Sequence, residues 1–137
     1  MKTKLILASF AATLMIAMPV MADDDTPLAK NMEVVNDAYK AMRRETDPAK
    51  GAALAREAQD AVLKAITETP KLVKGLPEGE QARATAEYRK MTALLIVTFA
   101  EMEIAFLDGD MDKVKELVTK IRESKKAGHE KFMEEEE

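Results

Sequence analysis

The sequence predicts an all-α protein, specifically an antiparallel, up-down-up-down four-helix bundle. The chain has 137 residues, 47% of them hydrophobic, but only 4% are aromatic and tryptophan is absent. A sheet protein of this size would use more β-branched and aromatic residues than this alanine-, glutamate-, lysine- and methionine-rich chain supplies. Proline and glycine stand between four segments in which apolar residues recur three and four positions apart, which is the period of a helix. The length fits a single domain.

The first 22 residues have the organisation of a cleaved signal peptide. Lys2 and Lys4 form a short positive region, and an apolar run follows from Leu5 to Met18. Small or modest residues at Val20 to Ala22 then provide a cleavage site. An uncleaved membrane anchor is the alternative, but the run is shorter than the roughly 20 residues that a spanning helix needs. We therefore expect an exported, periplasmic protein without a membrane span after cleavage.

The rest of the chain, residues 23–137, forms the predicted bundle. Capping residues, prolines and glycines delimit its segments, and Glu134 to Glu137 form an acidic tail that we expect to fray because acids disfavour a helix C-terminus. Short links between the first two and the last two segments predict antiparallel neighbours. The boundaries are Thr26-Pro27, Asp47-Pro48, Thr69-Pro70, the loop with Gly75, Pro77 and Gly79, and Asp108-Gly109-Asp110.

Each segment carries an apolar seam that we expect to face the core. Alanines dominate the second segment, where small side chains let helices approach closely. The seams are Leu28, Met32, Val35, Tyr39 and Met42; Ala55, Ala58, Val62, Ala65 and Ile66; Ala84, Tyr88, Met91, Leu95, Thr98, Met102 and Ala105, flanked by Leu94, Phe99 and Phe106; and Val114, Leu117, Val118, Ile121, Gly128 and Phe132.

Several kinds of site are excluded or unsupported. The absence of cysteine excludes disulfide scaffolds, cysteine-ligated zinc or iron–sulfur centres and covalently attached haem. A formal charge of −4 and the interleaving of basic with acidic residues give no support for nucleic-acid binding. The sequence has no glycine-rich phosphate loop, no localised catalytic triad and only one histidine. We therefore do not expect an enzyme.

One end of the predicted bundle brings together a thioether and an imidazole. In an up-down-up-down bundle the first helix begins, and the fourth helix ends, at the same end. Met32 lies about 7–8 Å along the first helix and His129 about 6 Å from the end of the fourth, at a rise of 1.5 Å per residue. His129 also lies three turns plus about 20° from Val118, which directs it close to the core. A single methionine on an apolar seam usually packs in the core, and a single histidine near a helix C-terminus usually lies on the surface. Because Met32 and His129 lie at the same height in the bundle, we favour a joint role for them.

A thioether and an imidazole that face each other suit a six-coordinate haem iron. Imidazole binds ferrous and ferric iron, and thioether ligation raises the reduction potential. With both axial positions filled by protein side chains, the iron has no open position for dioxygen or peroxide. This donor pair therefore predicts electron transfer rather than catalysis.

The same ends of the chain resemble the soluble cytochrome b562 family. Asn31-Met32-Glu33 with Asn36-Asp37 is similar to the first helix of that family, and Asp108-Gly109 with His129-Glu130-Lys131-Phe132 is similar to its last helix. The spacing from Gly109 to His129 agrees with the family without a gap. The resemblance implies a four-helix bundle over residues 23–133 that binds one non-covalent haem b, with Met32 and His129 as axial ligands.

Two positions in the last helix depart from the family pattern. Lys125 stands where the family usually has an arginine that contacts a haem propionate, and lysine keeps the charge without the planar fork. A solvated helix position is the other interpretation of Lys125. Gly128 stands where a bulky aromatic residue is common, which leaves a gap or extra room beside the ligand.

Further haem contacts are expected from the first helix, the third helix and the long loop. Tyr88 and Met91 occupy positions where the resemblance implies aromatic contacts, and Val35 shares the seam of Met32. The loop residue Leu72, with Val73 and Leu76, could cover the porphyrin or simply pack within the loop.

Other functions stay open at this point. A haem-free periplasmic bundle that acts as a binding or stress module would leave Met32 in the core and His129 in solvent. A copper-handling bundle is a weaker third interpretation, because the methionines are dispersed at core spacing rather than clustered. We expect a soluble monomer with a redox partner protein.

Overall fold

A computed structural model describes residues 26–132, and within that range the fold is an all-helical bundle without strands. The predicted signal peptide and the acidic tail lie outside the described residues. The helices are α1 (Pro27–Met42), α2 (Pro48–Ala65), α3 (Lys71–Lys74), α4 (Glu78–Leu107) and α5 (Met111–Phe132). None of the helices in this range is long and apolar enough to cross a membrane.

Side-chain caps fix where α1, α2 and α5 begin, as the sequence predicts, whereas α4 begins after Pro77 without such a cap. The backbone N–H of Ala29 donates to the Thr26 hydroxyl at 3.1 Å, and Lys50 N–H donates to the Asp47 carboxylate at 2.9 Å. Such caps satisfy donors that a helix start otherwise leaves unpaired. Between α4 and α5, Gly109 adopts a positive φ of 67°, a conformation that glycine reaches at low cost.

The helices pack in a chain of neighbours around one hydrophobic core. Helix α1 packs on α2, α2 on α4, and α4 on α5, whereas the backbones of α1 and α5 do not approach as closely. Helix α2 uses its alanines as the sequence predicts, because Ala55 and Ala58 are fully buried. The largest side chains of this core that are fully buried are Phe99, Phe106, Met42, Met102, Leu117, Ile121, Val35 and Val62.

Three details differ from the expectation. The segment interpreted only as a loop contains the short helix α3, which packs against α4 and α5. Gly79 belongs to the first turn of α4 rather than to the loop. Leu94 was expected to flank the core, yet 57% of its surface is exposed, because the buried face of α4 is centred on Leu95, Phe99 and Met102.

Candidate functional site

A lysine on α5 bridges the seam between α1 and α5. The Lys125 ammonium donates a hydrogen bond to the Asn36 side-chain oxygen at 2.5 Å. The same ammonium lies 4.9 Å from the centroid of the Tyr39 ring, in a cation–π arrangement. Lys125 is half-buried. Its interpretation as a solvated helix position is therefore wrong, and its charge belongs to this seam.

The seam carries an excess of positive charge. Burial lowers the pKa of Lys125, and the neighbouring charges of Lys40 and Arg43 lower it further. The Arg43 guanidinium also lies over the Tyr39 ring, 5.8 Å from its centroid. Lys125 and Arg43 thus lie over one aromatic ring, with Lys40 near Lys125, and an anionic group bound there would be stabilised by their charges.

Met32 and His129 lie one helical turn from the hydrogen bond between Lys125 and Asn36, toward the start of α1 and the end of α5. Met32 precedes Asn36 by four residues on α1, and His129 follows Lys125 by four residues on α5. Residues four apart share a face of a helix. Each candidate ligand therefore lies on the edge of its helix that borders the seam. Met32 is half-buried, whereas His129 is exposed.

The exposure of His129 corrects the expectation that this residue points close to the core. The inward face of α5 runs through Ile121 and continues through the half-buried Gly128 and Phe132. His129 is the next residue after Gly128, so it is turned by about 100° from that face. Its spacing of four residues from Lys125 puts it on the same side of α5 as that lysine, whose ammonium contacts Asn36 on α1.

Tyr88, a predicted haem contact, is buried and engaged on the α2 side of α4. Its hydroxyl donates to the Ala65 carbonyl at 2.6 Å, and burial raises the pKa of the phenol. Its ring meets Phe132 edge to face, with centroids 5.5 Å apart. A nearby ion pair of 2.7 Å joins Lys131 to Glu87. The contacts of Phe132 and Lys131 attach the last turn of α5, which contains His129, to α4.

The remaining candidates lie in different surroundings. Met91 is half-buried, and its methyl group lies 3.9 Å from the point where a Cβ on Gly128 would be. That spacing is ordinary contact, so Gly128 leaves no large gap on this side. Val35 is fully buried in the core, and Leu72 is half-buried on α3 beside the buried Val73.

Two partners of Lys125 were not identified as site residues from the sequence. Asn36 entered only as part of a motif, and Tyr39 only as a member of the apolar seam. Their shared role depends on the register between α1 and α5, which are far apart in the chain, so no local pattern reveals it. The bridge residues and the two candidate ligands together define the seam site: Met32, Asn36, Tyr39, Lys125 and His129.

The chemistry available at the seam site is that of a soft thioether, an imidazole and several cations. Over residues 26–132, no group of three or more His, Cys, Asp or Glu side chains is arranged to hold a metal ion. A thioether and one imidazole are too few to hold a bare ion in four- or six-coordinate geometry. They suffice as the two axial ligands of a metal whose other positions a macrocycle fills.

Comparisons with known proteins agree with the resemblance in the helix ends. Curated proteins and solved structures gave no match to this chain. The family model described as cytochrome b562 matches residues 27–133, which include the five helices of the described part of the chain. The chain therefore belongs to the cytochrome b562 family, and this membership suggests a b-type haem-binding protein that carries electrons.

Proposed function

We propose that this protein binds one non-covalent haem b between α1 and α5, with Met32 and His129 as axial ligands, and transfers single electrons in the periplasm. The proposal includes an up-down-up-down arrangement of the four long helices. The observation that carries it is the bridge from Lys125 to Asn36, which sets the register of α1 against α5.

Contacts between neighbouring helices support the alternating topology. On α4 and α5 the ion pairs join Glu87 to Lys131 and Glu101 to Lys120, so residue numbers fall on one helix as they rise on the other. Between α2 and α4, Arg56 pairs with Glu103, and Ala65 accepts from Tyr88 in the same descending order. Antiparallel neighbours produce this descending order of paired residues.

The register of α1 against α5 supports the ligand pair. If α1 and α5 are antiparallel, a step of one turn toward the N-terminus from Asn36 and a step of one turn toward the C-terminus from Lys125 reach the same height. That height is about 6 Å from the hydrogen bond between Lys125 and Asn36. Those two steps end at Met32 and His129. The thioether and the imidazole therefore belong to opposite edges of one seam at one height.

The residues present fit a b-type haem. The wider spacing of α1 from α5 provides a side on which a planar group can enter without separating closely packed helices. Lys125, Lys40 and Arg43 provide positive charge for the two propionates. When bound, the haem supplies an iron that changes between the ferrous and ferric states.

The chain's own residues determine what that iron can do. Met32 and His129 would together hold the iron and leave no position for a further ligand, so the site would not activate dioxygen. The thioether stabilises the ferrous state, and the nearby Lys125 charge acts in the same direction because it disfavours additional positive charge. These roles describe an electron carrier.

A haem-free binding or stress module is the second candidate, and the exposure of His129 favours it. The absorption spectrum of protein purified from a haem-sufficient host distinguishes the two. We expect a red protein with a Soret band and sharp ferrous α and β bands. A colourless protein that also fails to take up added haemin would contradict haem binding.

A further inference from the structure

The cations on one flank of α5 are neutralised by α4. Lys120 pairs with Glu101 at 3.9 Å, and Lys131 pairs with Glu87 at 2.7 Å. The two lysines are eleven residues apart, which is three turns plus about 20°, so they mark the same flank of the helix. The positive charge on the flank that borders α4 is therefore compensated within the chain.

The cations on the other flank of α5 have no carboxylate partner. Arg122 lies seven residues after Lys115 and three before Lys125, so all three lie on one side of the helix. The contacts of Lys125 with Asn36 and Tyr39 identify this side as the one that borders α1. Over residues 26–132, none of these three side chains forms an ion pair.

Helix α1 adds two more cations along the same seam. The charges of Lys40 and Arg43 act on Lys125, and Arg43 lines the same surface depression as Lys115. Lys40 has only a long contact of 4.0 Å with Asp37, and because both side chains are exposed this contact is weak. We call these five cations the basic band: Lys40, Arg43, Lys115, Arg122 and Lys125.

The carboxylate that lines the depression does not neutralise the basic band. Glu45 accepts hydrogen bonds from the backbone N–H groups of Thr46 at 3.0 Å and Asp47 at 2.9 Å, which hold its carboxylate at the turn before α2. The whole chain has a formal charge of −4, so the basic band is a local reversal of sign. Such a patch attracts an anionic surface.

We propose that the basic band is the docking surface for an acidic face of the redox partner protein, an inference that rests on the proposed haem site. The basic band begins at Lys125, one turn from His129, and extends about 15 Å along α5 to Lys115. Two haem propionates neutralise at most two of its five charges, so a net charge of at least +3 is left for the partner. A protein docked there lies beside the haem, and the electron does not need to cross the bundle.

The chemistry of the basic band suits a partner that binds briefly. Exposed ion pairs are individually weak, and they accelerate encounter more than they strengthen the complex. Small interfaces are typical of electron-transfer complexes, in which the partners must separate after each transfer. An acidic protein surface of similar length therefore fits the basic band.

Titration of the haem-loaded, isotope-labelled protein with hexaglutamate tests the binding surface by nuclear magnetic resonance. We expect shifts of the amides of the basic band, and we expect Lys115→Gln with Arg122→Gln to weaken binding about 5- to 10-fold. The matched control is Lys50→Gln with Lys90→Gln, which removes two exposed charges from α2 and α4. Equal weakening in both double variants would overturn the proposal.

The oxidation of the ferrous protein by ferricyanide tests the location beside the haem. One electron passes from the haem iron to the trianion, which becomes ferrocyanide. We expect the rate to fall as the ionic strength rises, despite the negative charge of the whole chain, and to be at least about 3-fold lower in Lys115→Gln with Arg122→Gln than in the control at low salt. A rate that is indifferent to salt and to the variant would contradict docking beside the haem.

The same titration of the haem-free protein separates this inference from the proposed function. Haem-loaded protein that does not bind hexaglutamate would overturn the docking surface and leave haem binding intact. Protein that takes up no haem would overturn the proposed function and the redox character of the partner, whereas hexaglutamate binding would still report whether the basic band recognises acidic proteins. Binding to phosphatidylglycerol vesicles without binding to hexaglutamate would overturn the proposal in favour of a lipid surface.

Discussion

Lys125 on α5 and Asn36 on α1 are 89 residues apart in the sequence and share a hydrogen bond, although the backbones of these two helices approach less closely than those of the packed neighbours. This bond fixes the height of one helix against the other. It also determines which residues lie at the level one turn further out, and these are Met32 and His129. The proposed haem site therefore depends on a contact that involves neither ligand.

Replacing the proposed axial ligands should change the spectrum in two distinct ways. His129→Ala should abolish the low-spin spectrum, because imidazole is the stronger ligand in both oxidation states. Met32→Ala should leave haem bound but high-spin or weakly ligated, with a lowered potential. Absorption spectra and redox titration measure both effects. Met111→Ala is the control, because Met111 is a half-buried methionine at the opposite end of α5. An unchanged spectrum in either ligand variant would remove that residue from the iron.

Haem should stabilise the folded protein. A ligand that binds only the folded state adds about 2.7 kcal/mol at a free concentration 100 times its dissociation constant. Thermal unfolding of the apo- and holo-proteins measures this difference. In His129→Ala the stabilisation by haem should be smaller, because the ligand that contributes most to haem affinity is absent. Equal melting temperatures with and without haem would contradict the proposal.

Lys125→Met should make the apo-protein slightly more stable at neutral pH, by about 0.5–1 kcal/mol. Methionine keeps the packing on Tyr39 and removes a half-buried charge that nearby cations disfavour. Because the pKa of Lys125 is lowered in the folded state, the unfolded chain binds more protons, so stability rises as the pH passes upward through that lowered pKa toward the ordinary value.

The free energy of unfolding of the Lys125→Met variant should not show this increase with pH. Denaturant unfolding at several values of pH between neutrality and the ordinary lysine range measures it. Lys126→Met is the matched control, since Lys126 is the next residue and is exposed. A loss of more than about 1 kcal/mol at neutral pH would show that the bond to Asn36 outweighs the cost of burial.

Gly51→Ala should destabilise the fold by up to about 2 kcal/mol. A Cβ on Gly51 would overlap the ring of Phe106, which is fully buried and has no room to move. Overpacking of this kind costs about 1–3 kcal/mol and exceeds the roughly 1 kcal/mol that alanine gains over glycine within a helix. Gly79→Ala is the control: nothing lies within 4 Å of its Cβ position, so that variant should be slightly stabilising. Urea unfolding compares the two.

The carboxylate of Glu103 should contribute stability that disappears in acid. The hydrogen bond from Gln59 holds its pKa below the ordinary value of 4.5, Arg56 adds to this effect, and burial opposes it. The contribution is therefore present above the ordinary pKa and is lost as the pH falls through the lowered value. Glu103→Gln should cost about 1 kcal/mol near neutrality, because the exposed Arg56 adds little.

Unfolding curves at neutral pH and at pH about 3 measure how much stability the Glu103 carboxylate contributes. The difference in the free energy of unfolding between these two values of pH should be smaller in Glu103→Gln than in the native protein. Glu57→Gln on the exposed face of α2 serves as the control. An acid dependence identical in Glu103→Gln and the native protein would refute the assignment.

Much of the fold could be predicted from the sequence because its determinants are local. Thr26 and Asp47 cap the helices that follow them, Gly109 supplies the positive φ of a turn, and the three- and four-residue spacing identifies the buried faces of α1, α2 and α5. Helix α4 is apolar on both faces. Its period therefore could not distinguish the core face from the face that carries the exposed Val97, Ile104 and Leu107, and Leu94 was misplaced for that reason.

The sequence by itself determined the helical class, the helix boundaries within a turn, the family and the two candidate ligands, because caps, period and local motifs act over a few residues. Only the tertiary structure decided that Lys125 contacts Asn36 and Tyr39, that His129 is exposed rather than directed into the core, and that α4 leaves Val97, Ile104 and Leu107 exposed. Each of these depends on the rotation and register of one helix against another, and side chains distant in the chain set both.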